Sequence, residues 1–221
     1  MTGKTSIEIF QDLALRGPAD DRKELRQILI AKASKPWSHA ERREREMAGR
    51  VPDRDVIAFE RVSDDQLPAA SLALWWRVDA YEIGNIVPRE FGELGIPTYN
   101  ALLQEFARLI AEPAAEAARF LVEITPAYQS LEDLSSPEVA NALHQFSSAA
   151  NKSTGASHPL DSERWLRFLI AAHRTRCHLG ADKLGRWLKE VEGWDDDHAH
   201  ELAIQYEFAR ELLEKYDLER R

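Results

Sequence analysis

The stretch SLALWWRVDAYEIGNIVP, residues 71–88, constrains the fold more than any other part of this 221-residue chain. Leu72, Leu74 and Trp76 recur with period two and so share one face of an extended strand. Ile83, Asn85 and Val87 do the same beyond Asp79-Ala80, which can turn the chain back. The pattern predicts a hairpin with strands of about 71–78 and 81–88, the second ended by Pro88. The period then changes. Tyr99, Leu102, Leu103, Phe106, Leu109 and Ile110 stand at helical spacing, which predicts a long helix with one apolar face. Pro113 is expected to interrupt it, with an Ala-rich turn over 114–118.

DVIAFERV (55–62) and FLVEIT (120–125) supply two more strand patterns. The fold class expected is therefore α+β: a small antiparallel sheet of about four strands (55–62, 71–78, 81–88, 120–125) covered by the long helix. The flanks read as helical. Ser6 can cap a helix over SIEIFQDLALRGP, with Ile9, Phe10, Leu13 and Ala14 inward. Further helices are expected after Asp20 and over 38–49, the latter with almost no apolar stripe, as a solvated helix or a contact arm. Four more lie in the C-terminal ninety residues. Three regions follow: 1–50 helical, 51–130 the sheet core, and 131–221 helical and packed on that core, all three able to form a single domain.

Composition bounds function. Hydrophobic residues make up 44% and charged residues 30%, values for a packed globular chain. No apolar run reaches the roughly 18 residues a membrane span needs. The N-terminus lacks the pattern of a secretory signal. Cys177 is the sole cysteine, which excludes an intrachain disulfide and a cysteine-rich zinc site. A cytoplasmic protein is expected. The net charge of −9 divides into +3 over residues 1–50, −7 over 51–130 and −5 over 131–221. Such a field opposes a nucleic-acid backbone and suits a basic protein partner.

Candidate sites each have a plain structural reading beside the functional one. In NKSTGASHPLDSERW (151–165), Lys152, Ser153 and the Gly155 backbone could cradle an anion, with His158 and Asp161 nearby. The plain reading is a connector in which Asp161 caps the next helix. TGKTS (2–6) lacks the upstream glycine and strand of a phosphate-binding loop. In WDDDHAHEL (194–202), His198 and Glu201, or Asp197 and Glu201, could hold two corners of a metal, but acidic residues also suit a helix start. His173 and Cys177 share a helix face without a third orienting group. Around the hairpin stand Asp79, Glu82, Glu90 and Glu93, with Arg89. Asn85 is expected on the apolar face, where it would need hydrogen-bond partners. Trp75 points opposite to Trp76, and left uncovered it would mark a partner site.

No cofactor and no metal are expected. The function expected is a non-enzymatic protein-binding or regulatory module, of antitoxin or immunity type, with Trp75, Asn85, Arg89, Lys152, Ser153 and His158 as binding residues. The alternative is a small hydrolase or phosphate-handling enzyme built on His158, Asp161 and Lys152 in the 151–161 loop. Oligomeric state is not legible.

Overall fold

The computed structural model describes residues 5–51 and 54–220. Its first elements correct the helix expected at the N-terminus. Ile7, Ile9, Gln11, Leu13 and Leu15 are buried, while Phe10 and Asp12 between them are exposed. Odd-numbered side chains turned inward are the signature of extended chain. The result is β1 (Ser6–Glu8) and β2 (Leu13–Arg16). Phe10 had completed an apparent helical spacing with Ile9, Leu13 and Ala14. Its ring instead rests edge-on against Tyr99, 4.9 Å away.

The chain forms two compact units. One runs from Phe10 to Ala127 and holds β2, α1 (Arg22–Lys32), β3 (Trp37–His39), α2 (Glu41–Arg50), β4 (Val56–Arg61), β5 (Ala70–Arg77) and β6 (Ala80–Pro88). It continues with α3 (Ile96–Phe106), a π-helical segment (Ala107–Ala111), α4 (Glu112–Ala118) and β7 (Leu121–Ile124). The sheet has six antiparallel strands in the order β3-β4-β5-β6-β2-β7. It exceeds the expected four because short β2 and β3 were hidden in segments read as helix. The inner face buries Leu13, Leu15, Phe59, Leu72 and Leu74 against Leu102, Phe106 and Ile110, with Leu25 and Leu29 of α1 in the same core.

The cover is not a single long helix. It is α3, the π-helical segment and α4 in succession, with α1 packed on α4. Pro113 does not stop the run, because it sits in the first turn of α4. The helical run continues unbroken through it, and the missing N–H is accommodated next to a stretch whose bonding is already i→i−5 rather than i→i−4. The π-helical segment just before it absorbs the change in register.

β6 also departs from simple alternation. Ala73 pairs with Asn85 but Leu74 pairs with Ile83, so Gly84 is a bulge. The bulge shifts the inward phase from Ile83 to Ile86, and Asn85 becomes exposed rather than apolar-facing. An ideal Cβ on Gly84 would meet Trp75 Cδ1 at 2.6 Å, so only glycine leaves room for that indole. The hairpin turns at Val78 and Asp79, one residue before the expected Asp79-Ala80, because Arg77 already pairs with Ala80. Val78 takes a left-handed φ of 49°, which is strained for a β-branched residue. Arg16 Nη1 donates to Asp79 Oδ1 at 2.9 Å and Gly17 N to Asp79 O at 3.1 Å, and both hold the turn.

Charge is buried in this unit with its partners. Arg61 has no exposed surface. It donates to Glu105 Oε2 (2.7 Å), Asp64 Oδ2 (2.5 Å), Val62 O and Leu67 O (both 2.8 Å), while Trp37 Nε1 donates to Glu105 (2.8 Å). Arg26 bridges Glu44 of α2 and Asp55, and Tyr81 donates its hydroxyl to Asp55 at 2.7 Å.

The second unit joins the segment ending at Ile9 to the chain from Tyr128 onward. β1 pairs with β8 (Tyr128–Ser130) as a two-stranded sheet. Then come α5 (Leu131–Leu134), α6 (Pro137–Ala149), α7 (Pro159–Arg174), α8 (Ala181–Glu190) and α9 (Asp196–Glu219). Ser136 caps α6 with Pro137 at its first position. The core is aromatic. Phe146 lies 4.9 Å from Trp165 and stacks on Trp194 at 5.4 Å, and Phe168 stacks on Tyr206 at 5.6 Å.

Candidate functional site

The 151–161 loop is built from interlocking local bonds. Asn151 Oδ1 accepts from Ser153 N (3.2 Å) and Ser153 Oγ (2.8 Å), closing a short 3-10 turn. Lys152 Nζ donates to Glu192 O and approaches the Glu192 carboxylate at 3.4 Å. Its cation also stands 5.9 Å from the Trp194 ring. Asp161 is buried and accepts from Asn151 N (3.3 Å) and Arg164 Nη1 (2.8 Å). The cap of α7 is His158, whose Nδ1 accepts from Leu160 N at 3.2 Å, so Asp161 ties the loop and does not cap the helix. Lys152, Ser153, His158 and Asp161 thus each have a structural partner.

The loop nonetheless meets a second motif. A cavity of about 450 Å³ is lined by Thr154, Gly155, Ser157, Trp165, His198 and Glu201 among others, and it includes none of Lys152, His158 and Asp161. Gly155 has a φ of +62°, and its absent Cβ would meet His198 Nε2 at 2.8 Å. Asp195 caps α9 by accepting from His198 N at 3.0 Å, and its Oδ2 holds His198 Nδ1 at 2.5 Å. The first of these bonds, with the ring contact added, holds the Asp195 carboxyl below its usual range. No group of three or more metal-ligating side chains occurs among the described residues.

On the sheet, Ser71, Ala73 and Trp75 of β5 share the outer face, opposite Leu72 and Leu74. Val87 stands beside Ser71 and Asn85 beside Ala73. Together with Arg43 and Met47 of α2, Arg54 and Arg77, they line a pocket of about 310 Å³. The structure thus brings Trp75 and Asn85 to one place. Arg89 does not line the pocket; it stands 3.4 Å from Glu60, the cross-strand neighbour of Ser71. Arg43, Arg54, Met47 and Ser71 were missed in the sequence. The only signal was the poorly striped 38–49 segment, whose side chains had nothing apolar to pack on.

The helical unit exposes a row of apolar side chains. On α9, Ile204 (54%), Phe208 (65%), Leu212 (54%) and Tyr216 (53%) are each more than half exposed. Sequence periodicity turns Leu212 and Tyr216 inward with Leu202 and Tyr206, but the buried set ends at Tyr206. The row is spaced four residues apart and is offset from the buried Leu202, Ala203 and Tyr206 and the half-buried Ala209 and Leu213, which follow the packed side of the helix. α7 adds exposed Leu166 and Ile170.

The remaining motifs are structural or outside the described residues. Most of TGKTS lies outside them, and Ser6 opens β1. His173 Nε2 pairs with Asp217 at 2.9 Å, near the half-buried Cys177 in a cavity of about 540 Å³. Tyr206 donates its hydroxyl to Leu179 O at 2.9 Å, and burial raises its pKa to about 12. No helix among the described residues is long and apolar enough to cross a membrane.

No curated protein and no solved structure matches the chain. Residues 135–212, which span α6 to most of α9, are similar to a domain of unknown function, DUF1889.

Proposed function

We propose that this protein is a cytoplasmic, non-enzymatic binding module whose helical unit holds a basic segment of a partner protein, as antitoxin- and immunity-type proteins do. The observation that supports this reading is the α9 row of Ile204, Phe208, Leu212 and Tyr216. Exposed apolar side chains four apart on one helix are the anchors of a helix-on-helix contact. Exposed Glu201, Glu207, Glu211 and Glu214 flank them. A partner helix with apolar residues on one face and Lys or Arg at its edges is complementary to both features. The net −5 over residues 131–221 would steer it in.

The test uses a labelled amphipathic peptide of Leu and Lys at helical spacing, with a Leu/Glu peptide as control, read by fluorescence anisotropy. The lysine peptide is expected to bind saturably, more weakly as salt rises. The double variant Phe208→Ser, Leu212→Ser should fold as before and bind about 30-fold less tightly, the scale of about 2 kcal/mol for lost interface anchors. Absence of saturable binding, or equal binding of the glutamate peptide, overturns the proposal. So does a dimer in sedimentation that the double variant abolishes, since a second copy would then occupy the row.

A further inference from the structure

The outer-face pocket of the sheet unit has a chemistry opposite to that of the chain as a whole. Arg43, Arg54 and Arg77 line it, and no carboxylate does among the described residues. Arg43 and Arg54 have no ion-pair partner among the described residues, and Arg77 makes a single pair with Glu82, at 3.6 Å. In a protein with 38 acidic and 29 basic side chains, a pocket lined by three arginines, two of them without an ion pair among the described residues, calls for an explanation. A guanidinium presents several N–H donors in a planar fork that matches carboxylate and phosphate oxygens.

A second, independent observation lies in the same pocket. Ser71 is 1% exposed, and its hydroxyl has no hydrogen-bond partner. Leaving a buried hydroxyl unpaired is costly, so native structures seldom do it without a reason. Ser71 is among the residues that line the same pocket as the arginines. Asn85, exposed by the Gly84 bulge, adds a side-chain amide, and the Trp75 indole forms part of the wall. Volume, charge and an unused donor agree on one class of occupant.

We infer that this pocket binds the oxyanion of a small molecule, a phosphate or a carboxylate, between Arg43, Arg54 and Ser71. The inference is independent of the protein-binding role of α9, since every residue involved lies in the sheet unit. The Gly84 bulge creates the site, because without it Asn85 would not stand beside Ala73.

The test is NMR titration of the full chain with inorganic phosphate in one arm and acetate in the other, at ionic strength held constant with chloride. The reporter is the Trp75 indole N–H, assigned by its loss in Trp75→Phe. A saturable shift with one anion identifies the source, and with both it identifies a general oxyanion site. Arg43→Ala and Arg54→Ala should each weaken binding about tenfold, the scale of a charge-assisted hydrogen bond. Ser71→Ala should weaken it about threefold to tenfold while leaving the rest of the spectrum intact. Shifts that chloride alone reproduces, shifts unchanged in all three variants, or no saturable shift in either arm each overturn the inference.

Discussion

Both units bury aromatic rings, and they differ in the charge they enclose. The sheet unit encloses charge: Arg61 and Glu105 meet beneath the α3 cover, and Arg26, Asp55 and Tyr81 form a second network. The helical unit encloses rings, with Phe146, Trp165, Phe168, Trp194 and Tyr206 in contact, while ion pairs such as Arg167–Glu163 stay exposed. Short strands leave a sheet unit with loop carbonyls that need donors, and one guanidinium can serve several of them, as Arg61 does for Val62 and Leu67. Helices satisfy their own backbones, so their core needs only shape and area. The same logic places the surfaces. The helical unit spends its rings inside and leaves surplus apolar side chains on α9, while the sheet unit has arginines to spare on its outer face.

The largest expected effect tests this contrast directly. Glu105→Ala leaves Arg61 buried without its main partner and should cost about 3–5 kcal/mol in urea unfolding. Glu163→Ala, which breaks an exposed pair in the helical unit, should change stability by no more than about 0.5 kcal/mol. Equal costs would mean that the two units do not differ in how they use charge.

Alkaline pH comes next and should act on both units alike. Burial raises the hydroxyls of Tyr99 in one unit and Tyr206 in the other to about 12, against about 10 in an unfolded chain. Between those values the unfolded chain has released protons that the folded one keeps, so stability falls as pH rises. The stability from these tyrosines is full below about pH 10 and lost on rising through about 12. Unfolding followed by tyrosine absorbance should show ionisation and loss of structure together. Tyrosines ionising near 10 in the folded protein would contradict their burial.

The smallest effect concerns the 151–161 loop. His158→Ala removes the cap of α7 and should cost about 0.5–1 kcal/mol, with His158→Asn restoring most of it because asparagine also caps. Thermal melts of the two variants check this. If Asn fails to rescue, the imidazole does more than accept one backbone N–H.

Strong local periodicity made much of the architecture legible: the hairpin over 71–88 and the helical pattern from Tyr99 to Ile110. Errors arose where two periods competed. Between Ile7 and Leu15 a single misplaced aromatic, Phe10, outweighed a correct period-two pattern whose middle member was the polar Gln11. Three-residue strands such as β3 carry too few residues to show any period. For the sites, Trp75 and Asn85 stood out in the sequence, but their company did not. Arg43 comes from a helix that looked idle, and Ser71 reads as an ordinary strand serine until its burial is known.

The residues alone determined the fold class of this protein, the helical pattern that begins at Tyr99 and its acidic balance, because those depend on composition and on neighbours within a few positions. Only the folded chain decided that β2 lies between β6 and β7, that a bulge at Gly84 turns Asn85 outward, that an apolar row on α9 is left exposed, and that three arginines line one pocket with an unpaired hydroxyl. Those outcomes depend on contacts between residues dozens of positions apart, and a side chain's burial, pairing and available hydrogen bonds are set by whatever the rest of the chain places beside it.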